Sequence, residues 1–125
     1  RNEIALHRFL LGAAGESDAD ALVDYVISLE ALLLPEQSEG ELRFRLAVYG
    51  AHYLGQYLDE RKSSFRDFQK VYDVRSGLVH GTKRYSLEEI QAAARVARRL
   101  AAAVLLKALE AGWPTREQLR DLVLT

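Results

Sequence analysis

Apolar residues recur at helical spacing along most of the chain, and no stretch alternates convincingly with the period of two that a half-buried strand requires. Residues 2–13 carry Ile4, Leu6, Phe9, Leu10 and Leu11, a first helix expected to end at Gly12 and Gly15. Ser17-Asp18-Ala19-Asp20 is a capping signal with acidic residues at the positive end of the dipole. The helix it opens runs through Leu22, Val26, Leu29, Glu30 and Leu33 to Pro35, which cannot continue it. Ser38-Glu39-Gly40-Glu41 reads as a capping box for a third helix reaching about Leu58, with the stripe Leu42, Leu46, Tyr49, Tyr53 and Tyr57. Ala47 and Gly50 on that helix allow a neighbour to approach closely.

A fourth helix is expected from Ser64-Phe65-Arg66-Asp67 to Gly81, with Phe65, Phe68, Val71, Tyr72, Leu78 and Val79 as its apolar positions. Gly81 suits a left-handed C-terminal cap, which glycine adopts without steric cost. Ser86-Leu87-Glu88-Glu89 opens the longest helix, to about Ala111, along a face of Ile90, Ala97, Leu100, Val104 and Leu105. Gly112 closes it, and Thr115-Arg116-Glu117-Gln118 caps a short last helix. Short polar connections favour antiparallel neighbours, so the expected fold is an all-α, up-and-down bundle forming one domain over residues 1–125.

Composition narrows the chemistry. With 49% hydrophobic and 28% charged residues in 125 positions, the chain reads as one soluble globular domain. A net charge of −1 means that a nucleic-acid site must come from a local basic patch. The absence of cysteine excludes disulfides and thiolate metal sites, and His7, His52 and His80 form no i, i+4 ligand pair. The expectation is therefore no metal and no cofactor. No apolar run approaches the ~18–20 residues of a membrane span, and no signal-peptide pattern is visible, so the reading is cytoplasmic. Beginning on Arg1 within a helical pattern, the chain reads as a piece, a C-terminal one, of a larger protein.

Two features stand out chemically. Glu30 follows Val26 by four and precedes Leu33 by three, so its carboxylate emerges from the apolar stripe and calls for a cation. Arg75 and Arg45 are the candidate partners. The bland role is an ion pair that sets helix register; the sharper one is orientation of Arg75. The second feature is the stretch Tyr72 to Gly81, with Arg75 and His80 five apart near the helix end. Five residues turn about 140° around a helix, so the two side chains reach a shared target, or a partner's copies, more easily than each other. Arg45 and His52 form a second Arg…His pair, read as a decoy because it lies mid-helix.

Three separated signals, Ser28-Leu29-Glu30-Ala31-Leu32-Leu33, then Arg45 with Ala47, then Tyr72 followed by Arg75-Ser76-Gly77-Leu78-Val79-His80-Gly81, together resemble the HEPN superfamily. The chain looks most like the ApeA-like HEPN domains, found at the ends of larger bacterial proteins, often in phage defence. The resemblance covers roughly residues 1–110 and implies an all-α bundle of four to five helices. It also implies a metal-independent endoribonuclease in a homodimer, with two Arg-x4–6-His motifs meeting at the interface. His80 would then be general acid or base for attack of a ribose 2′-OH on the adjacent phosphate, leaving a 2′,3′-cyclic phosphate. Arg75 would hold the phosphate, and Ser76 would bond to it or to the helix backbone.

Imidazole suits proton transfer near neutral pH without a metal. Lys83 and Arg84 are the expected contacts to the RNA backbone. The expected partners are thus RNA, a second copy and other domains of the parent protein, with no membrane. Thr82 stands where adenylylation-silenced HEPN toxins carry a tyrosine, so the resemblance does not extend to that regulation. The alternative is a non-catalytic HEPN module that dimerises or binds RNA, with His80 capping the helix end.

Overall fold

The computed structural model describes residues 2–34 and 41–124, and these form six α-helices with no strand among them. They are α1 (Asn2–Ala14), α2 (Asp18–Leu33), α3 (Leu42–Leu54), α4 (Leu58–His80), α5 (Leu87–Ala111) and α6 (Arg116–Leu124). Ser17, Ser86 and Thr115 cap as expected. The Ser17 hydroxyl accepts from the Asp20 amide at 3.3 Å, and Ser86 and Glu89 bond reciprocally at 3.1 Å. Thr115 and Gln118 form the same box at 3.1 and 3.0 Å, so amides that the helices leave unpaired are satisfied by local side chains.

Two boundaries differ from expectation. Pro35 and the Ser38-Glu39-Gly40 part of the proposed capping box lie outside the described residues, and α3 begins after Glu41, whose φ is 55° with no side-chain cap. More consequentially, α3 stops at Leu54, not Leu58, and α4 starts at Leu58, not Ser64. Gly55 leaves the helix in an extended conformation, and the Glu60 carboxylate reaches back to accept from the Tyr57 amide at 3.1 Å. That back-bond and the acidic Asp59 and Glu60 start the helix a turn and a half before the first serine signal. Tyr57 therefore leaves the expected stripe and is 70% exposed.

The helices α1 and α2 pack as one pair and α3 and α4 as another, with α5 laid against α2 and α6 against α3. Between α1 and α2, Ser28 donates to the Ala5 carbonyl at 2.7 Å and Arg8 pairs with Asp24 at 3.0 Å. Gly12, inside α1 and not at its end, takes the Tyr25 ring against its backbone: an added Cβ would lie 2.8 Å from Cε1. Between α3 and α4, Gly50 receives the Phe68 ring so closely that a Cβ would lie 2.3 Å from Cζ. The close approach expected at Gly50 is thus real, and Phe68 is wholly buried there. The long α5 lays its alanine-rich face, Ala93, Ala97 and Ala101, against α2, and small side chains let Leu22, Val26 and Leu29 bury completely. Each such leucine contributes about 1.5–3 kcal/mol on burial. This frame presents the last two turns of α4 at one end of the bundle.

Candidate active site

Arg75 leaves α4 on the side facing α2. Its Nη2 lies 3.9 Å from Glu30 Oε1, and the two side chains are 21% and 24% exposed. The cation that the Glu30 stripe called for is therefore Arg75, while Arg45 is half-buried on α3. At 3.9 Å the contact is an ion pair and not a hydrogen bond. Arg75 Nε is buried and has no hydrogen-bond partner among the described residues, and the guanidinium lies 5.9 Å from the centre of the Tyr72 ring. Burial pushes the Glu30 carboxyl above its ordinary range, and the Arg75 charge pulls it partly back. A guanidinium serving only as a structural strut would have more of its donors filled.

His80 is the last residue of α4 and is exposed. Gly81 follows with φ 66° and ψ 21°, the left-handed cap expected there. Arg75 and His80 are separated along one helix by a rise of about 7.5 Å and a rotation of about 140°. Within one chain the arginine is thus turned to the α2 side while the histidine is open to solvent. Ser76 is half-buried beside Arg75. Lys83 and Arg84 are both exposed; Lys83 Nζ stands 5.1 Å from the Tyr85 ring centre.

A buttress that sequence patterning did not reveal holds this end of α4. Tyr85 packs on Gly77, where a Cβ would come within 2.6 Å of Cε2, and its hydroxyl donates to the Asp73 carbonyl at 3.3 Å. The Asp73 carboxylate in turn receives two bonds from Arg43, at 2.7 and 3.0 Å, tying the same turn to α3. The available signal was Gly77 itself, a glycine inside an otherwise well-formed helix. Of the apolar residues here, Val79 and Leu87 remain 52% and 63% exposed.

The second Arg…His pair requires a correction. Because α3 ends at Leu54, His52 lies in the last turn and not mid-helix. Its Nδ1 is 2.9 Å from the Val48 carbonyl. A carbonyl only accepts, so Nδ1 carries the proton and Nε2 is the ring's remaining polar atom. On α5, Arg99 pairs with Asp67 at 2.8 Å, while Arg95 and Arg98 are exposed. Trp113 is partly buried and packs against the core. No helix among the described residues is long and apolar enough to cross a membrane.

No protein-family model, curated protein or solved structure matches this chain. The arrangement of its own residues therefore carries the functional argument.

Proposed function

We propose that this chain is a HEPN-like, metal-independent endoribonuclease domain that acts as a homodimer and as the effector part of a larger bacterial defence or stress protein. The observation that carries the reading is Arg75: a half-buried guanidinium whose Nε has no hydrogen-bond partner among the described residues, held 3.9 Å from Glu30, on the same helix end as an exposed histidine. Such a group can turn its remaining donors to a phosphate oxygen, and Glu30 keeps it charged and oriented.

In the proposed reaction, His80 of one protomer takes the proton of a ribose 2′-OH as that oxygen attacks the adjacent phosphorus. Arg75 stabilises the charge that develops on the phosphorane oxygens. The bond from phosphorus to the 5′-oxygen breaks, and His80 of the other protomer returns a proton to that leaving oxygen. The products are a 2′,3′-cyclic phosphate and a 5′-hydroxyl. Ser76 contacts the phosphate or the helix backbone, and Lys83 and Arg84 guide the RNA strand by its phosphates. Dimerisation answers the 140° divergence of Arg75 and His80, since two copies can complete a site that one chain splits.

That same divergence, with the exposed Val79 and Leu87 beside it, also favours a second reading, a module that dimerises or binds RNA without cutting it. End-labelled single-stranded RNA incubated with the protein in EDTA separates the two. Fragments ending in a 2′,3′-cyclic phosphate, and none from the matching DNA strand, are the expected result. Intact RNA in the presence of a dimeric protein would overturn cleavage in favour of the second reading.

A further inference from the structure

The ends of α3 and α4 that meet at Gly55 enclose a groove of about 380 Å³ on the far side of the bundle from His80. Along α4, Arg61 and Arg75 are separated by about 21 Å of helix, so this groove is not an extension of the candidate active site. Val48, Ala51, Leu58 and Phe65 supply apolar walls. His52, Arg61, Lys62 and Arg66 supply the polar ones, and among the described residues no carboxylate lines the groove. Glu60, adjacent to Arg61 in the chain, accepts from the Tyr57 amide.

Arg61 is preset. Its Nε donates to the Gly55 carbonyl at 3.0 Å, and its stem packs on Gly55, where an added Cβ would meet Cγ at 3.1 Å. This fixes the guanidinium plane while leaving its two amino groups for another acceptor. His52 is also anchored, its Nδ1–H donating to the Val48 carbonyl, which leaves Nε2 as an acceptor, so the ring counts here as wall and not as a donor to an acid. Lys62 and Arg66 are exposed, one turn apart on the same face. An open groove of this volume, apolar in its walls and edged by one fixed and two exposed cations, has the chemistry of a site for a small acid.

We propose that this groove binds a small organic acid with an apolar body. The acid group lies against Arg61, Lys62 and Arg66, and the body lies on Leu58, Phe65 and Val48. Charge complementarity selects the acid, and the apolar walls select against a bare inorganic anion. A nucleic-acid strand fits less well, because Phe65 already packs edge-on with Phe44 at 6.0 Å and 77°, which limits its use as a stacking platform for bases.

The test titrates the wild-type protein with decanoate and, separately, with decanol, acetate and a short single-stranded RNA, following backbone amide shifts by NMR. Decanoate is expected to shift the amides of Val48 to Phe65 saturably, at least tenfold more tightly than decanol or acetate. The double variant Lys62→Glu/Arg66→Glu, altered only at exposed positions, is expected to weaken decanoate at least tenfold while keeping the wild-type spectrum elsewhere. Equal binding of decanol would reduce the site to an apolar patch and overturn the proposal. Shifts centred on the exposed α1 residues Leu6 and Leu10, no effect of the double variant, or RNA binding in place of decanoate would each overturn it as well.

Discussion

The first half of α4 is anchored by a ring driven into a neighbour's backbone, whereas the second half buries the smaller Val71 and Val74 and is tethered by polar contacts along its edge. Phe68 is wholly buried on Gly50 of α3, with no space between ring and helix for a methyl group. Nine residues on, Gly77 meets the edge of the half-buried Tyr85, and the turn is tethered through Asp73 to Arg43 and to the Tyr85 hydroxyl. Arg75 is held by an ion pair at 3.9 Å and by the Tyr72 ring, 5.9 Å away, with no hydrogen bond to its Nε among the described residues. Both halves come from one continuous helix, so the contrast lies in what the neighbouring elements offer. A packed ring fixes position to a fraction of an ångström, whereas a rim of ion pairs lets a side chain reorient on meeting a ligand. The candidate chemistry sits on the adjustable half, supported by the fixed one.

Truncating the anchor should have the largest effect on stability. Phe68→Ala removes a fully buried ring and is expected to cost about 3–5 kcal/mol in urea unfolding. A cost below about 1 kcal/mol would deny that the first half is the anchored one.

The two glycines sharpen the contrast further. Either change to alanine gains about 1 kcal/mol of helix propensity. At Gly50 the new methyl would meet a ring that cannot move, and overpacking of about 1–3 kcal/mol should outweigh that gain. At Gly77 the obstacle is the far end of the half-buried Tyr85 side chain, which can shift at the expense of its long hydroxyl bond to Asp73. Gly77→Ala should therefore cost less than Gly50→Ala and fall within about 1 kcal/mol of wild type. Equal losses from the two changes, measured by thermal and urea unfolding, would erase the distinction.

Glu30 gives the smallest effect and one with a definite sign. Its carboxyl is raised by burial, against the pull of Arg75, so the folded state holds the proton more tightly than the unfolded chain. The stability linked to that proton is fully present below the ordinary glutamate pKa and is lost as pH rises through the raised folded value. Glu30→Gln cannot ionise and should match or exceed wild-type stability at neutral pH by less than about 1 kcal/mol, the difference closing in acid. Its cleavage should fall nonetheless, because Arg75 loses the group that orients it. A large loss of stability at neutral pH would make the pair a structural bridge.

Much of this organisation was legible because its physics is local. Ser17, Ser86 and Thr115 announce their helices through bonds spanning three residues, and Gly81 and Gly112 end theirs with φ of 66° and 92°. Glu30 was legible because a carboxylate among Val26, Leu29 and Leu33 must find a cation. The α3–α4 junction was not, since Tyr57 is no customary cap and its amide is satisfied by Glu60 from inside the helix. That one boundary also hid His52: with α3 drawn through Leu58 it is a mid-helix residue, and with α3 ending at Leu54 it faces a groove. The Arg43–Asp73–Tyr85 buttress joins exposed Arg43 and Asp73 with half-buried Tyr85 across 30 and 12 positions, where hydrophobic periodicity carries no signal.

The most direct test is the rate at which His80→Ala cleaves single-stranded RNA in EDTA, beside wild type prepared identically. His80 is exposed at a helix end, so its removal should leave the fold intact, with at most about 0.3–1 kcal/mol lost from the helix terminus. Removing a general acid–base should lower cleavage about 10²–10⁴-fold. A folded His80→Ala protein that cleaves as fast as wild type would contradict the assignment of this histidine and, with it, of the site at the end of α4.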